Sequence, residues 1–380
     1  MVLLLLLALS CGKNTSYEKI ETFFESSDNV PISVYVGDPY SGVTTRSSGS
    51  IETREDLSGK EILVWAFLSG DNASYDSVRS LSDPAPVCLI DGKSAVLGEK
   101  GAAAEWTDMA EAAGYYFYPK EQYSSRSYDF SACYIDNATV VTENHSSNSR
   151  VLDLRINGRQ DIMTSRATPP KNATFCYDFA RSGVDPKFTL NHRLVKIQFK
   201  VKPGIIEGRE PKDVSVSFLK MEAPTLLHLT VARKNLGELT LTQEESSMAY
   251  MDLHNGDESF PLNEATIRTF SEKPSAEDEQ ASIVELGGEE AALLLPEAQS
   301  YKYAIGIKDA TDSENALEET RNVLKYKKKD GTYGVFEGGK SYMVTFEIFG
   351  ASDVAVTVEM VPWVDGGPLS GSDDEIEQGK

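Results

Sequence analysis

The sequence predicts an all-β protein that contains two β-sandwiches in tandem. Short segments in which apolar and polar residues alternate recur along the chain between turn residues, a pattern typical of sandwiches. Helical periodicity is confined to two short segments, residues 100–113 and 310–325. At 380 residues the chain is also too long for one ordinary hydrophobic core, so its length favours two domains.

The predicted strands form two series. The first consists of residues 32–36, 61–68, 115–119, 128–134 and 150–156, with a further short strand near Phe175. The second begins at Phe188 and consists of residues 194–201, 214–218, 226–231, 239–241, 293–295, 301–307, 342–348 and 354–360. We therefore expect one sandwich over residues 47–182 and another over 183–367, joined near 181–187. An acidic stretch near 271–282 predicts a long surface loop, and the acidic tail, 368–380, is predicted to be disordered.

The chain begins with an apolar run from Val2 to Leu9. It is shorter than the about 20 apolar residues that a helix needs to span a bilayer, and its length is typical of the apolar part of a signal peptide. Residues 8–11, Ala-Leu-Ser-Cys, resemble a bacterial lipobox, in which the cysteine is lipidated and becomes the mature N-terminus. We expect a lipoprotein signal peptide over 1–10, a palmitate-bearing Cys11 and a tether over 11–46. A plain secretory signal is the alternative.

The chain carries a formal net charge of −22 and has a pI of about 4.7. This balance argues against nucleic acid as a partner and against docking of a polybasic surface on anionic lipid. Besides Cys11 there are three cysteines, Cys88, Cys133 and Cys176, an odd number that excludes a closed disulfide framework. Cys133 and Cys176 are predicted to be small apolar residues in strands, although one disulfide with one free thiol stays open.

No pattern in the sequence indicates catalysis. A nucleophile elbow, a P-loop, a zinc-protease helix and a dinucleotide-binding fingerprint are all missing, and the four histidines are scattered. Asp153 with Asp161, or Asp309 with Asp312, offer carboxylates for calcium, but without the spacing of a calcium loop they are interpreted as solvated acids. We therefore expect no enzyme, no cofactor and no metal site, and an envelope hydrolase is the least favoured hypothesis.

A set of short motifs recurs in a characteristic order. They are Thr44-Thr45-Arg46 after the strand at 31–36, Trp106, the aromatic segments 115–119 and 128–134, Gln160-Asp161-Ile162-Met163, Phe188 to Leu194 with His192, Gly339-Lys340-Ser341-Tyr342 and Trp363. In this order, over residues 1–367, they resemble the fimbrillin family of surface lipoproteins, which build type V pili in certain Gram-negative anaerobes. The resemblance implies two transthyretin-like, Greek-key sandwiches and a role as a fimbrial subunit.

The resemblance also implies a mechanism of assembly. An Arg-specific protease removes an N-terminal strand from the precursor, which is lipidated and held at the outer membrane. The vacated groove then accepts an extended segment of the next fimbrial subunit. Ile32, Val34 and Val36 supply the alternate apolar positions of such a strand, and Arg46 lies in the Gly/Ser/Thr-rich stretch behind it, with Arg54 as the second candidate. The alternative is that Arg46 is a loop arginine and that the strand is permanent.

The position of the subunit in the fimbrium stays open among tip, stalk and anchor. After Trp363 no alternating apolar segment remains. Either the hairpin over 342–360 contains the donor strand, or the subunit only accepts a strand. The polar tail favours a tip or minor subunit, whose ligand on a host or bacterial surface the sequence does not identify.

A second hypothesis is a surface lipoprotein that binds glycans. Tandem sandwiches with exposed aromatic residues also serve that role, and the candidates for stacking on a sugar are Tyr115, Tyr116, Tyr118 and Tyr123. Trp65, Trp106 and Trp363 are interpreted as core anchors rather than sugar platforms. His192 is interpreted as a structural histidine at the entrance of a strand.

Overall fold

A computed structural model describes residues 30–37, 55–69, 88–107, 116–118, 125–136, 139–145, 149–232, 238–243, 247–252, 265–286, 292–294, 298–310, 318–351 and 353–361. Within these ranges the chain is mostly β-strand, with two short helices. The all-β prediction is therefore confirmed, whereas the transthyretin-like topology and the domain boundaries at 46/47, 182/183 and 367/368 stay predictions.

The strands differ widely in length. They are β1 (Tyr35–Val36), β2 (Glu61–Leu68), β3 (Cys88–Val96), β4 (Glu105–Trp106), β5 (Tyr128–Ile135), β6 (Thr139–His145), β7 (Ser149–Arg155), β8 (Ile162–Arg166), β9 (Lys187–Phe188), β10 (Asn191–His192), β11 (Val195–Pro203), β12 (Asp213–Pro224), β13 (Leu226–Ala232), β14 (Glu238–Gln243), β15 (Met248–Asp252), β16 (Ala265–Arg268), β17 (Val284–Leu286), β18 (Ala292–Leu294), β19 (Tyr301–Asp309), β20 (Glu318–Leu324), β21 (Ser341–Gly350) and β22 (Asp353–Val361). The helices are α1 (Tyr177–Ala180) and α2 (Ala276–Ala281).

These strands form several sheets in which antiparallel pairing dominates. One sheet has the order β10-β8-β5-β2-β3-β4, and β1 pairs with β9 beside it. A second has the order β17-β11-β21-β22, with β18 also on β11, and a third has the order β15-β12-β19-β20, with β16 also on β12. A fourth has the order β14-β13-β7-β6. Most of the predicted strands are present, because apolar residues at alternate positions are buried on one face of a sheet.

Several local predictions are wrong. Residues 318–324, within one predicted helix, form strand β20, because they pair with β19 from Tyr301 to Ile307. In the other predicted helix, Glu105–Trp106 form β4, and 108–113 lie outside the described residues. Phe175 lies in a bend rather than a strand, with α1 directly after it. The predicted loop at 271–282 contains α2, whose first turn is capped by the Ser275 hydroxyl, which accepts from the Asp278 N–H at 3.1 Å.

Two hydrophobic clusters form the interior. One contains Ile32, Val34 and Val36 together with apolar residues of β2, of β5 and of the segment from Phe175 to Leu190. The other is built mainly from β11, β12, β19 and β21, but it also contains Trp65, Phe67 and Cys133 from the first sheet. Trp65 is 1% exposed and lies against Gly92, where an added Cβ atom would come within 3.2 Å of the indole Nε1.

Strands from the two predicted sandwiches pair with each other. β7 and β13 are antiparallel over seven residue pairs, from Leu226 with Arg155 to Ala232 with Ser149. β10 pairs with β8 in the same way, with His192 opposite Met163. The residues before and after position 183 are therefore joined by backbone hydrogen bonds. In the described part of the chain, no helix has the length and apolarity needed to cross a membrane.

Candidate functional site: the groove around residues 30–37

The N-terminal end of the described chain lies inside the protein. In the segment 30–37, which we call the inserted segment, the side chains of Ile32, Val34 and Val36 are 0%, 0% and 3% exposed. Pro31, Ser33 and Tyr35, at the intervening positions, are only partly buried. The segment therefore shows the two-residue period of a strand, with one face in the core, although regular strand pairing is limited to β1.

One side of the inserted segment is held by residues 116–118. Pro31 forms an antiparallel bridge with Phe117. The Ile32 N–H donates to the Tyr116 carbonyl at 2.6 Å, and the Tyr118 N–H donates to the Val30 carbonyl at 3.0 Å. Because these bonds use backbone groups, a different sequence in an extended conformation can make the same ones.

Residues 104–106 hold the middle of the inserted segment. The Ala104 N–H donates to the Val34 carbonyl at 2.9 Å, and the Trp106 indole Nε1–H donates to the Ile32 carbonyl at 3.1 Å. The Trp106 ring contacts Tyr116 edge-on, with the ring centroids 4.9 Å apart. Trp106 is 9% exposed, so it is a core anchor that also binds the backbone of the inserted segment.

The end of the inserted segment pairs in parallel with β9. Tyr35 lies opposite Lys187, and Val36 lies opposite Phe188. The Tyr35 N–H donates to the Pro186 carbonyl at 3.0 Å, and the Gly37 N–H donates to the Phe188 carbonyl at 2.8 Å. Three separate parts of the chain, residues 104–106, 116–118 and 186–188, thus form the walls of one groove.

Apolar burial supplies much of the energy that holds the inserted segment. Full burial of a valine or isoleucine side chain stabilises a protein by about 1.5–3 kcal/mol, so Ile32, Val34 and Val36 together contribute about 5–9 kcal/mol as an upper estimate. This is comparable with the whole free energy of unfolding of an ordinary domain, about 5–15 kcal/mol. The cluster around the groove therefore depends on having this strand, or another one, in place.

A half-buried carboxyl group lies near the inserted segment. Burial raises the pKa of Asp185, and the nearby Lys187 opposes this shift. Burial also raises the pKa of Tyr35 and of Tyr118, and the charge of Asp185 acts in the same direction on both phenols. The Tyr118 hydroxyl is buried without a hydrogen-bond partner. Burial therefore disfavours a negative charge at Asp185.

The predicted site residues are only partly within the described structure. Cys11, Arg46, Arg54 and Trp363 lie outside the described residues. Ile32, Val34 and Val36 are brought together in the groove. Their removal by processing stays a prediction.

Two of the four tyrosines proposed for stacking on a sugar, Tyr116 and Tyr118, lie within the described residues, and neither is fully exposed. Tyr118 is 2% exposed, so its ring faces the core and not a ligand, and this part of the glycan hypothesis is wrong. Tyr116 is half-buried against Trp106. Tyr115 and Tyr123 lie outside the described residues.

Two of the aspartates considered as calcium ligands instead contact histidine side chains. His192 Nδ1 lies 2.8 Å from Oδ2 of Asp161, so this pair joins β10 to the chain just before β8. The side chain of Asp161 is fully buried, so its interpretation as a solvated acid is wrong. Asp153 contacts Nδ1 of His228 at 2.7 Å across β7 and β13. Asp309 ends β19, and Asp312 lies outside the described residues. Within the described ranges, no group of three potential metal ligands occurs.

Among the described residues, no disulfide joins any two of Cys88, Cys133 and Cys176. Cys133 is in β5 as predicted, and burial raises its pKa. Cys176 precedes α1 and is not in a strand, because the chain turns after Thr174.

Sequence reasoning missed much of the groove. The sequence places Pro186 and Lys187 in the join between the sandwiches and Phe188 at the start of the second strand series, yet these three residues form the parallel wall of the groove. Asp185 gave no signal, because one acid among 59 acidic residues has no distinguishing pattern. Trp106 was recognised as an anchor, but its bond to the Ile32 carbonyl depends on tertiary structure.

The chain is similar in structure to solved fimbrial and cell adhesion proteins of the Bacteroidales. A fimbrial protein from Bacteroides vulgatus has 14% sequence identity over 88% of this chain and 99% of its own, with a TM-score of 0.48. A Bacteroides uniformis protein with a proposed role in cell adhesion has 15% identity over 88% and 98%, with a TM-score of 0.45. The fimbrial anchor protein Mfa2 from Porphyromonas gingivalis has 9% identity over 89% and 100%, with a TM-score of 0.32.

No known family profile matches the sequence, and no curated protein matches it. At these identities and TM-scores, the function of the chain has to be argued from its own residues.

Proposed function

We propose that this chain is a structural subunit of a cell-surface fimbrium that assembles by donor-strand exchange and supports adhesion. In this proposal the chain is exported as a lipoprotein precursor with the lipid on Cys11, and an Arg-specific protease cleaves after Arg46. The inserted segment then leaves its groove, and an extended segment of another subunit replaces it. The resemblance of the ordered sequence motifs to fimbrillins supports the same function.

The observation that carries the proposal is the inserted segment itself. It fills the core at Ile32, Val34 and Val36, and five of the hydrogen bonds described above join backbone groups that any extended chain possesses. Arg46 follows Gly37 in a stretch rich in Gly, Ser and Thr. Strand exchange requires a segment that completes the core, that another extended strand can replace, and that a cleavable stretch follows.

The opposite end of the chain favours a subunit that accepts a strand without donating one. β22 pairs with β21 from Ser341 with Val361 to Gly350 with Asp353. As a donor, β22 would have to give up this ladder. A tip or minor position in the fimbrium is therefore proposed in preference to a stalk position, and an anchor would keep its lipid and its inserted segment.

Uptake of a labelled peptide tests the exchange directly. The purified precursor is treated with an Arg-specific protease, and a fluorescent peptide with the sequence of residues 30–37 is then added in excess. We expect the processed protein to bind the peptide, measured by fluorescence anisotropy, and the intact precursor to exclude it. Arg46→Ala and Arg54→Ala are matched variants, and only Arg46→Ala is expected to prevent uptake.

Two results would contradict the proposal. One is equal peptide uptake by the precursor and the processed protein, and the other is a processed protein that excludes the peptide while remaining folded. N-terminal sequencing of the protein from the cell surface gives an independent answer. A terminus at Ser47 supports processing after Arg46, whereas an acylated Cys11 supports a membrane-held anchor or binding lipoprotein.

A further inference from the structure

A strongly basic hairpin interrupts the acidic surface of this protein. Residues 325–334, which we call the basic hairpin, contain Lys325, Lys327, Lys328 and Lys329, and all four are exposed. Four lysines against one aspartate, Asp330, give the hairpin a formal charge of +3, whereas the chain as a whole carries −22. The hairpin is therefore a local reversal of the charge of the molecule.

Backbone hydrogen bonds give the basic hairpin a defined shape. Lys327 and Tyr333 form an antiparallel bridge. The Lys328 N–H donates to the Thr332 carbonyl at 2.8 Å, and the Gly331 N–H donates to the Lys328 carbonyl at 2.9 Å. Gly331 has a φ of 87°, which L-residues with a side chain rarely adopt, so glycine suits this turn.

The base of the basic hairpin is anchored in the core. Tyr326 is 7% exposed, and its ring centroid lies 5.1 Å from that of Tyr342 and 6.5 Å from that of Phe336. The Gly334 N–H donates to the Tyr326 carbonyl at 3.0 Å and closes the hairpin. The lysines therefore project from a fixed base, which lowers the entropy cost of binding.

An exposed aromatic ring lies among the lysines. Tyr333 is 67% exposed, the highest value among the exposed large hydrophobic side chains of the described residues. The Lys325 ammonium group lies 5.4 Å from the centroid of its ring. One oxygen of the Asp330 carboxylate accepts from the Thr332 N–H at 2.8 Å and from the Thr332 hydroxyl at 2.6 Å, so this acid is engaged within the turn.

We propose that the basic hairpin binds an anionic polysaccharide. Such a polymer repeats sulfate or carboxylate groups, which pair with ammonium groups, and its sugar rings present C–H faces, which pack on an exposed phenol ring. The proposed ligand class rests on the proposed adhesive function. A protein at the cell surface meets polysaccharides as its polyanionic ligands.

The net charge of the chain sets the conditions under which binding is expected. At physiological ionic strength the Debye length is about 8 Å, so acids farther from the ligand than this are largely screened while the hairpin remains in contact with it. At very low salt, repulsion by the whole chain opposes binding, and at high salt the lysine contacts are lost. We therefore expect the affinity to be highest at intermediate ionic strength.

Binding of the unprocessed full chain to immobilised heparin, with fully desulfated heparin as the control surface, tests the proposal. The test variant is Lys325→Gln/Lys327→Gln/Lys328→Gln. The matched variant is Lys171→Gln/Lys212→Gln/Lys273→Gln, which makes the same change in net charge at exposed lysines elsewhere. We expect the test variant to bind at least about 10-fold more weakly and the matched variant to change by less than about 2-fold.

The tyrosine is tested separately. Tyr333→Ala is expected to weaken binding about 3- to 10-fold, and Tyr333→Phe, which keeps the ring, by less than about 2-fold. Because the unprocessed chain is used, failure of heparin binding is distinguishable from failure of strand exchange.

Four outcomes would overturn the proposal. They are no binding to heparin at any ionic strength, equal losses in the two triple variants, tighter binding to single-stranded DNA than to heparin, and self-association of the chain that the test variant alone abolishes. The last two would assign the hairpin to a nucleic acid or to the acidic surface of a second copy.

Discussion

The two strands nearest the ends of the described chain are held in opposite ways. The inserted segment has little regular pairing, with β1 only two residues long, yet its alternate side chains are almost completely buried. β22 forms a ladder of nine residue pairs with β21, with one irregularity between Ile348 and Gly350, yet Val354, Val356 and Met360 on its apolar face are only partly buried. Hydrogen bonding and burial are thus distributed differently between the two strands.

This difference indicates which strand a partner can replace. A backbone ladder contributes little net stability for each bond, about 0.5–1.5 kcal/mol, because water offers bonds to the separated strands. Buried apolar side chains have no such substitute in water. The groove of the inserted segment therefore requires an occupant. Among the described strands, β22 lies at the edge of its sheet, and an edge is a surface to be protected.

The largest contrast is expected when a charge is placed in each strand. Val34→Asp places a carboxylate at a position that is 0% exposed, and we expect a loss of about 4 kcal/mol or more in the free energy of unfolding, or expulsion of the segment. Val356→Asp, at a half-buried position, is expected to cost about half as much. Urea denaturation measures both, and limited proteolysis reports expulsion. Ser33→Asp, at the partly exposed neighbouring position, is the control, and an equal effect there would show that burial is not the cause.

Removal of two methyl groups gives a smaller version of the same contrast. Val34→Ala is expected to lower the free energy of unfolding by about 2–3 kcal/mol, and Val356→Ala by about 1 kcal/mol, because the second site is already open to water. After cleavage at Arg46, Val34→Ala is also expected to release the inserted segment faster, which exchange with the labelled peptide would detect. Equal losses for the two variants would remove the distinction between the strands.

Trp106 provides a test of the side-chain hydrogen bond to the Ile32 carbonyl. Trp106→Phe leaves the buried Ile32 carbonyl without the indole donor, and the expected loss of stability is about 1.5 kcal/mol. Tyr116→Phe keeps its ring and its backbone carbonyl and is expected to change stability by less than about 0.5 kcal/mol. Thermal and urea unfolding of both variants would check the difference. A neutral Trp106→Phe would mean that the carbonyl finds another donor.

The smallest expected effect depends on pH and is confined to the inserted segment. Because burial raises the pKa of Asp185 in the folded state, the folded protein binds this proton more tightly than the unfolded chain does. The protein with the inserted segment in its groove is therefore expected to gain stability as the pH falls from neutrality towards the raised pKa of Asp185. The gain is expected to be less than about 1 kcal/mol, because Asp185 is partly solvated. Peptide exchange should accordingly become slower as the pH is lowered from neutrality. Asp185→Asn should flatten this dependence, and Glu55→Gln should not.

The sequence predicts which residues form strands better than it predicts which strands pair. β5 and β22 follow directly from alternating apolar residues, and so does the burial of Ile32, Val34 and Val36. Residues 310–325 are predicted to be helical from their periodicity, and the pairing of residues 318–324 with β19 overrides that pattern. The pairing of β7 with β13 depends on contacts between distant parts of the chain, which no local pattern encodes.

Only part of the candidate sites could likewise be predicted from the sequence. The inserted segment was predictable because burial on alternate positions leaves a period of two in the sequence. Its walls were not, because residues 104–106, 116–118 and 186–188 come together only in the folded chain. The basic hairpin was missed for another reason, since a net charge of −22 is an average that conceals a local excess of lysine.

The inserted segment also has a direction. It runs antiparallel to the chain at Phe117 and parallel to Lys187–Phe188, so its two walls are not interchangeable. A strand that takes its place has to run the same way to satisfy both walls. Each junction in a fimbrium built by this exchange would then be head-to-tail, and such contacts produce open fibres rather than closed rings when the rotation does not close. The resulting filament would be polar, with unlike ends, and every subunit along it would point the same way.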